Sequence, residues 1–138
     1  MWYKKMRIMI IFFLLISNNV LADIINIDNK KFRELLKQGI PVIDVRTKKE
    51  WNKTGVIKNS HLISMINDQG KYSLKDWYTK YSKIELKDNK VIIICAVGGR
   101  SKYISNIIKK INKESIIFNV EKGIMSWIKN NNPIVKYY

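Results

Sequence analysis

Apolar positions along this chain follow two patterns that take turns. Short runs rich in β-branched residues stand at Asp23–Ile27, Pro41–Val45, His61–Ile63, Val91–Cys95 and Ile116–Val120. Runs of that length between turn formers predict strands, with Pro41 at a strand start where no ladder hydrogen bond is lost. Between them, apolar residues recur at the spacing of one helix face. Phe32, Leu35 and Leu36 form one such set, and Leu74, Trp77, Tyr78 and Tyr81 a second. Tyr103, Ile104, Ile107, Ile108 and Ile111 form a third, and Ile124, Trp127 and Ile128 a closing turn. Asp28 is placed to cap the first helix, Gly39 to stop it, and Ser73 with Asp76 to make a capping box for the second. From Trp51 to Gly70 the text reads as loop, broken by Gly55, Asn59-Ser60 and the 67–70 turn. Strands alternating with helices predict one α/β domain around a mainly parallel sheet of about five strands, flanked by helices. Ligands of such sheets sit beyond the carboxyl ends of the strands, where this pattern puts both Asp44 and Cys95.

The first 22 residues follow neither pattern. Lys4, Lys5 and Arg7 precede nine unbroken apolar residues, Ile8 to Ile16, and Val20-Leu21-Ala22 follows a polar stretch. Basic, apolar and small-residue zones in that order mark an export signal peptide. The apolar run falls well short of the roughly 20 residues that span a bilayer, which disfavours the rival reading of an uncleaved anchor. Asp23 stands where a lipid-anchored chain would carry cysteine. The expected mature domain is 23–138, periplasmic, with no stable membrane anchor after cleavage.

Charge changes this picture little. The chain carries 26 basic and 11 acidic residues, a net +15. Lysines are spread along its whole length and far outnumber the four arginines, although arginine is the better bidentate phosphate ligand. The pattern argues against a nucleic-acid partner and for a field that draws in small anions. Cysteine content changes it more. Cys95 is the only cysteine, so no internal disulfide is possible. A lone cysteine in an exported chain is either a reactive thiol or an incidental buried residue.

Its neighbours bear on that choice. Cys95 ends an apolar run and is followed by Ala96, Val97, Gly98, Gly99, Arg100 and Ser101, with a helix expected to begin at Ser101. A tight loop feeding a helix N-terminus can aim N–H groups inward, and Arg100 would add a full charge if it turned toward the loop. Both features stabilise anionic sulfur. Gly98 and Gly99 suit a backbone that needs positive φ and close approach of a substrate. The competing reading, a small apolar residue ending a strand, leaves the glycines and the arginine unexplained. Other candidates are poorer. His61, the only histidine, lies in an irregular region without an acidic orienter, so it reads as surface or packing. One Cys and one His make no metal site. Asp44 reads as a strand-end carboxylate satisfied by backbone N–H groups or a base, and Arg46 with Glu50 as a pair if a helical turn joins them.

Val42-Ile43-Asp44-Val45-Arg46, then Glu50-Trp51 and Gly55, then Cys95-x-x-Gly98-x-Arg100-Ser101, then Gly123 and Trp127 resemble a single-domain rhodanese. The order and spacing cover most of 23–128. The resemblance implies a sulfurtransferase without cofactor or metal. Cys95 would take a sulfane sulfur from a small sulfur-containing anion, hold it as a persulfide in the 96–101 loop, and pass it to cyanide or a thiol, with a redox protein as one candidate acceptor. Asp44, Arg46 and Glu50 would support the site, and the protein is expected to be a monomer. Related phosphatases place five residues between cysteine and arginine, whereas this chain places four, Ala96 to Gly99. Two departures stand out. Val56 occupies the position after Gly55 where the family commonly has histidine, and Ala96 and Val97 are uncharged where many thiosulfate-using members carry a base. The second points to a persulfide or polysulfide donor, and it also motivates the alternative of a catalytically weak binding or sulfur-sensing module.

Overall fold

A computed structural model describes residues 24–67 and 69–138; the expected export segment 1–22 and Asp23 lie outside these residues. Five strands, β1 (Ile24–Ile27), β2 (Val42–Asp44), β3 (His61–Leu62), β4 (Lys90–Ile94) and β5 (Ile116–Val120), form one sheet in the order β1-β5-β4-β2-β3. Every pairing is parallel. The helices between and after them are α1 (Asn29–Lys37), α2 (Lys48–Thr54), α3 (Leu74–Tyr81), α4 (Gly99–Ile111) and α5 (Gly123–Lys129). A sheet buried on both faces needs apolar side chains at successive positions, which is why the strand runs are unbroken. In β4, Ile92 and Ile94 enter a core shared with Phe32 and Leu35 of α1 and Ile124 and Trp127 of α5. Val91, Ile93 and the following Cys95 enter the opposite core, with Trp77 and Tyr81 of α3 and Ile104 and Ile108 of α4. The two-residue period of the strand therefore sends the cysteine toward α4.

Several expected boundaries move. Helix α4 begins at Gly99 rather than Ser101, because Gly98, at φ +101°, takes the cap position. Helix α2 occupies part of the stretch read as loop. Thr47 caps it through a reciprocal capping box with Glu50, and Gly55, at φ +82°, ends it. The expected inner faces of α3 and α4 are also too wide. Leu74, Tyr78, Tyr103 and Ile111 are all exposed by about a third or more. Tyr103 instead meets Tyr72 edge-on at 6.1 Å between ring centroids. Each helix covers one narrow strip of sheet, so residues at the margins of a helical stripe remain in solvent.

The anticipated Arg46–Glu50 pair does not form. Arg46 is 1 % exposed and grips Asp44, 0 % exposed, with Nη2 donating to Oδ2 at 2.8 Å and Nε to Oδ1 at 3.0 Å. The Arg46 backbone N–H adds a bond to Oδ1 at 3.0 Å. The guanidinium spends its remaining reach on Thr54 Oγ1, 2.7 Å away, and the Gly55 carbonyl, 2.8 Å away. Two residues apart on extended backbone, Asp44 and Arg46 point the same way, whereas Glu50 lies on the first turn of α2 and faces elsewhere. The pair thus ties the end of β2 to the end of α2.

Removing one member of a buried ion pair strands the other. Asp44→Ala should lower unfolding free energy in urea by about 3–5 kcal/mol, whereas Glu34→Ala, which breaks an exposed pair with Lys31, should cost about 1 kcal/mol or less. Equal losses in the two variants would refute this account of the buried pair.

Candidate active site

The sheet order creates the site. From β2 the chain turns through α2 to β3 on one side, and from β4 through α4 to β5 on the other. Neighbouring strands whose exits diverge leave a crevice at their carboxyl ends, the usual ligand position in a parallel sheet. Val45 donates its N–H to the Ile94 carbonyl at 3.0 Å, so the two exits run side by side up to the cysteine.

Cys95 is 1 % exposed and free of any disulfide. The Gly98 N–H points at its Sγ from 3.1 Å, and the Ser101 hydroxyl lies 3.3 Å from the same sulfur. Ser101 is held there by donating to the Gly98 carbonyl at 3.1 Å. The N–H groups of Gly99, Arg100 and Ser101, at the start of α4, have no intrahelical carbonyl to bond. A sulfur atom beside a helix N-terminus of this kind sits in a positive local field without needing a side-chain cation. The expected group, Cys95 to Ser101, is therefore brought together at one place.

Two glycines make the loop possible, and they come from different loops. A Cβ on Gly98 would lie 2.0 Å from the Glu121 carbonyl oxygen, and one on Gly123 would lie 2.2 Å from that of Ala96. The two loops press backbone against backbone. Ile124 and Met125 at the start of α5 donate to the Cys95 and Ala96 carbonyls at 2.9 and 3.1 Å, which engages both carbonyls. Gly99, by contrast, has a helical φ and open space around it, so positive φ accounts for only one of the two adjacent glycines.

Arg100 is not a bare charge in the loop. Its Nη1 and Nη2 donate to Glu50 Oε2 and Oε1 at 2.7 and 2.6 Å, a two-pronged ion pair across the crevice. Glu50 also accepts from the Thr47 N–H at 2.9 Å and the Thr47 hydroxyl at 3.0 Å. The Arg100 bonds chiefly, with Thr47 adding to them against opposing burial, pull the Glu50 carboxyl from about 4.5 down to about 2. Reciprocally, Glu50 raises the Arg100 pKa further, and Cys95 adds a smaller contribution in the same direction. The signal for this partnership was present in the sequence as Thr47-x-x-Glu50, a capping box that fixes the carboxylate's direction.

The remaining candidates lie elsewhere. His61 is an exposed residue of β3, at the amino end of the edge strand's pairing with β2. Val56 is buried and exchanges two backbone bonds of 2.9 Å with Val135, so the tail occupies the position next to Gly55. Among the described residues no cluster of three or more His, Cys, Asp or Glu could hold a metal ion. None of their helices is long and apolar enough to cross a membrane.

Comparisons with known proteins agree with this fold. The family model for the rhodanese-like domain matches residues 28–130. A probable molybdopterin-synthase adenylyltransferase of Porphyra purpurea is 31% identical over 106 residues; the match takes in 76% of this chain but only 24% of that protein. Among solved structures, a rhodanese-related protein from Thermoplasma volcanium superposes with a TM-score of 0.62 at 27% identity, covering 82% of this chain and 99% of that one. The polysulfide-sulfur transferase homodimer from Wolinella succinogenes gives 0.61 at 21% identity, over 86% of this chain and 82% of that chain, a likeness of fold alone.

A carboxyl whose folded pKa is depressed stabilises the fold above its unfolded pKa and stops doing so as pH falls through the folded value. The Glu50 contribution should therefore be complete above about pH 4.5 and disappear toward pH 2. Acid unfolding followed by circular dichroism should show a shallower pH slope in that window for Glu50→Gln, and a slope identical to that of the wild type would contradict the pairing. Gly123→Ala, which drives a methyl group into the Ala96 carbonyl, should lower the unfolding midpoint and broaden the Ala96–Ser101 amide signals, whereas Gly99→Ala should do neither.

Proposed function

This chain belongs to the family of rhodanese-like domains, and we propose that it acts as a sulfurtransferase through a persulfide on Cys95. The observation that carries the reading is the Gly98 N–H aimed at the Cys95 sulfur from 3.1 Å in a loop that opens a helix. In the first half-reaction the Cys95 thiolate attacks the outer sulfur of a sulfane donor. A new S–S bond forms, the donor's S–S bond breaks, and its electron pair leaves with the shortened donor anion. Cys95 then carries one extra sulfur with a negative charge, which the Gly98 N–H and the first-turn N–H groups of α4 are positioned to receive. In the second half-reaction cyanide or a thiolate attacks that outer sulfur, and Cys95 leaves as the thiolate. Sulfane sulfur changes carrier, and no outside oxidant or reductant is consumed.

The donor proposed is a polysulfide or persulfide rather than thiosulfate. Ala96 and Val97 bring no charge, Val97 is 71% exposed, and the loop's one cation is committed to Glu50. The relative from Wolinella succinogenes named as a polysulfide-sulfur transferase is consistent with that choice. We further place the protein in the periplasm, on the strength of the basic and apolar zones of residues 1–22, and take it to act as a monomer.

Polysulfide-to-cyanide transfer should follow ping-pong kinetics, and Cys95→Ser should lose on the order of 10³-fold or more in kcat/KM. Polysulfide should be used faster than thiosulfate, and Val97→Lys should narrow that gap. Wild-type transfer no faster than that of Cys95→Ser would remove the enzymatic reading and leave a rhodanese-like binding module.

A further inference from the structure

Helix α2 carries Glu50, yet its buried side chain belongs to neither core of the sheet. With seven residues it is too short to be held by its own backbone bonds, so tertiary contacts must place it. Its one buried side chain is Trp51, 6 % exposed, which stands outside both apolar clusters. The ring that meets it comes from a distant segment. Tyr137 lies edge-on to Trp51, with centroids 5.5 Å apart and planes at 62°.

Segment 133–137 is led to that place by its own contacts. The Trp127 indole N–H donates to the Pro133 carbonyl at 2.8 Å, which ties the start of the segment to α5. Ile134 packs against the core shared by α1 and α5. Val135 then exchanges two backbone bonds of 2.9 Å with Val56 in an antiparallel bridge. Because the bridge is antiparallel, the chain beyond Val135 runs back alongside α2, and Tyr137 arrives at Trp51. Gly55 allows the close approach, since a Cβ there would lie 2.6 Å from the Val135 carbonyl oxygen. The same glycine ends α2 and gives its own carbonyl to Arg46 at 2.8 Å.

We propose that residues 133–137 are a strap that positions α2, and that Tyr137 is a positioning residue for the Glu50–Arg100 bridge. Trp51 follows Glu50 directly on the helix, so any turn of α2 that moves one side chain moves the other. The two-pronged bridge, with bonds of 2.6 and 2.7 Å, tolerates little such turning. The capping box sets where α2 begins, and the edge-on aromatic contact sets how it is turned about its axis. Without the Tyr137 ring, α2 loses the cover of its one buried side chain, and Glu50 no longer meets Arg100 with both oxygens. The consequence for sulfur transfer rests on the persulfide reading, whereas the placement of Glu50 does not.

The test follows the Glu50 carboxyl carbon by ¹³C NMR in the full chain. Arg100 chiefly, with Thr47 adding to it, holds this carboxyl at about 2. In the wild type it should therefore stay ionised as pH falls from about 6 to about 3. In Tyr137→Ala it should titrate within that range, while Tyr137→Phe, which keeps the ring, should match the wild type. Val135→Pro, which removes the N–H that bonds Val56, should act like Tyr137→Ala and serves in its place if that variant does not fold. Ile27→Val, a change in the core beside α1, should lower the unfolding midpoint without moving Glu50, so lost stability alone does not produce the shift. In polysulfide-to-cyanide transfer Tyr137→Ala should lose about tenfold in kcat/KM, and Tyr137→Phe should restore it. A wild type that transfers no sulfur would refute the persulfide reading, and the titration would still decide on the strap. Glu50 staying ionised in both Tyr137→Ala and Val135→Pro, or titrating alike in Tyr137→Ala and Tyr137→Phe, would overturn the proposal.

Discussion

The bridge between Glu50 and Arg100 is the interaction on which the rest of the site depends. Arg100 follows directly on the first residue of α4, two positions beyond the glycine that donates to the sulfur, so fixing its side chain fixes the start of that helix. Glu50 can do this only because α2 is itself immobilised at both ends. At its start the Thr47 capping box aims the carboxylate, and at its end the buried Asp44–Arg46 pair holds Thr54 and Gly55. A chain of hydrogen bonds thus runs from the end of β2, through α2, to the thiol loop on β4. Its two ion pairs differ in kind. The buried one is costly to break and serves placement, while the half-exposed one is softened by solvent and acts mainly through geometry.

The opposite side of the loop is held without charge. The backbone contact between the Gly98 and Gly123 loops leaves no room for a side chain on either glycine, and α5 takes up the carbonyls of Cys95 and Ala96. With those carbonyls engaged, the donor that remains directed at the sulfur is the Gly98 N–H. This division explains how a loop with two uncharged residues, Ala96 and Val97, still presents a hydrogen-bond donor to the sulfur.

Much of this was legible in the residues, and the reasons for the rest are physical. Unbroken β-branched runs identified a sheet covered on both faces, and the cysteine, glycines and arginine identified the loop. Asp44 was read as a carboxylate satisfied by backbone N–H groups or a base, and Arg46 supplies both. The error was to pair Arg46 with Glu50 through helical spacing, when Arg46 precedes the helix and alternation along extended chain governs its direction. Tyr103 and Ile111 were assigned to the core because periodicity alone does not tell how wide a strip of helix the sheet covers. The partnership of Gly98 with Glu121 and of Gly123 with Ala96 is a contact between distant segments, and no local pattern reveals it.

The central claim is that Cys95 accepts and holds a sulfur atom, and intact-protein mass spectrometry tests it most directly. After brief exposure to polysulfide and removal of the excess, the account predicts a species heavier by one sulfur atom. Cyanide should discharge it with one equivalent of thiocyanate, and Cys95→Ser should not form it. A wild-type mass that stays unchanged with every sulfane donor, or an adduct that persists in Cys95→Ser, would contradict it.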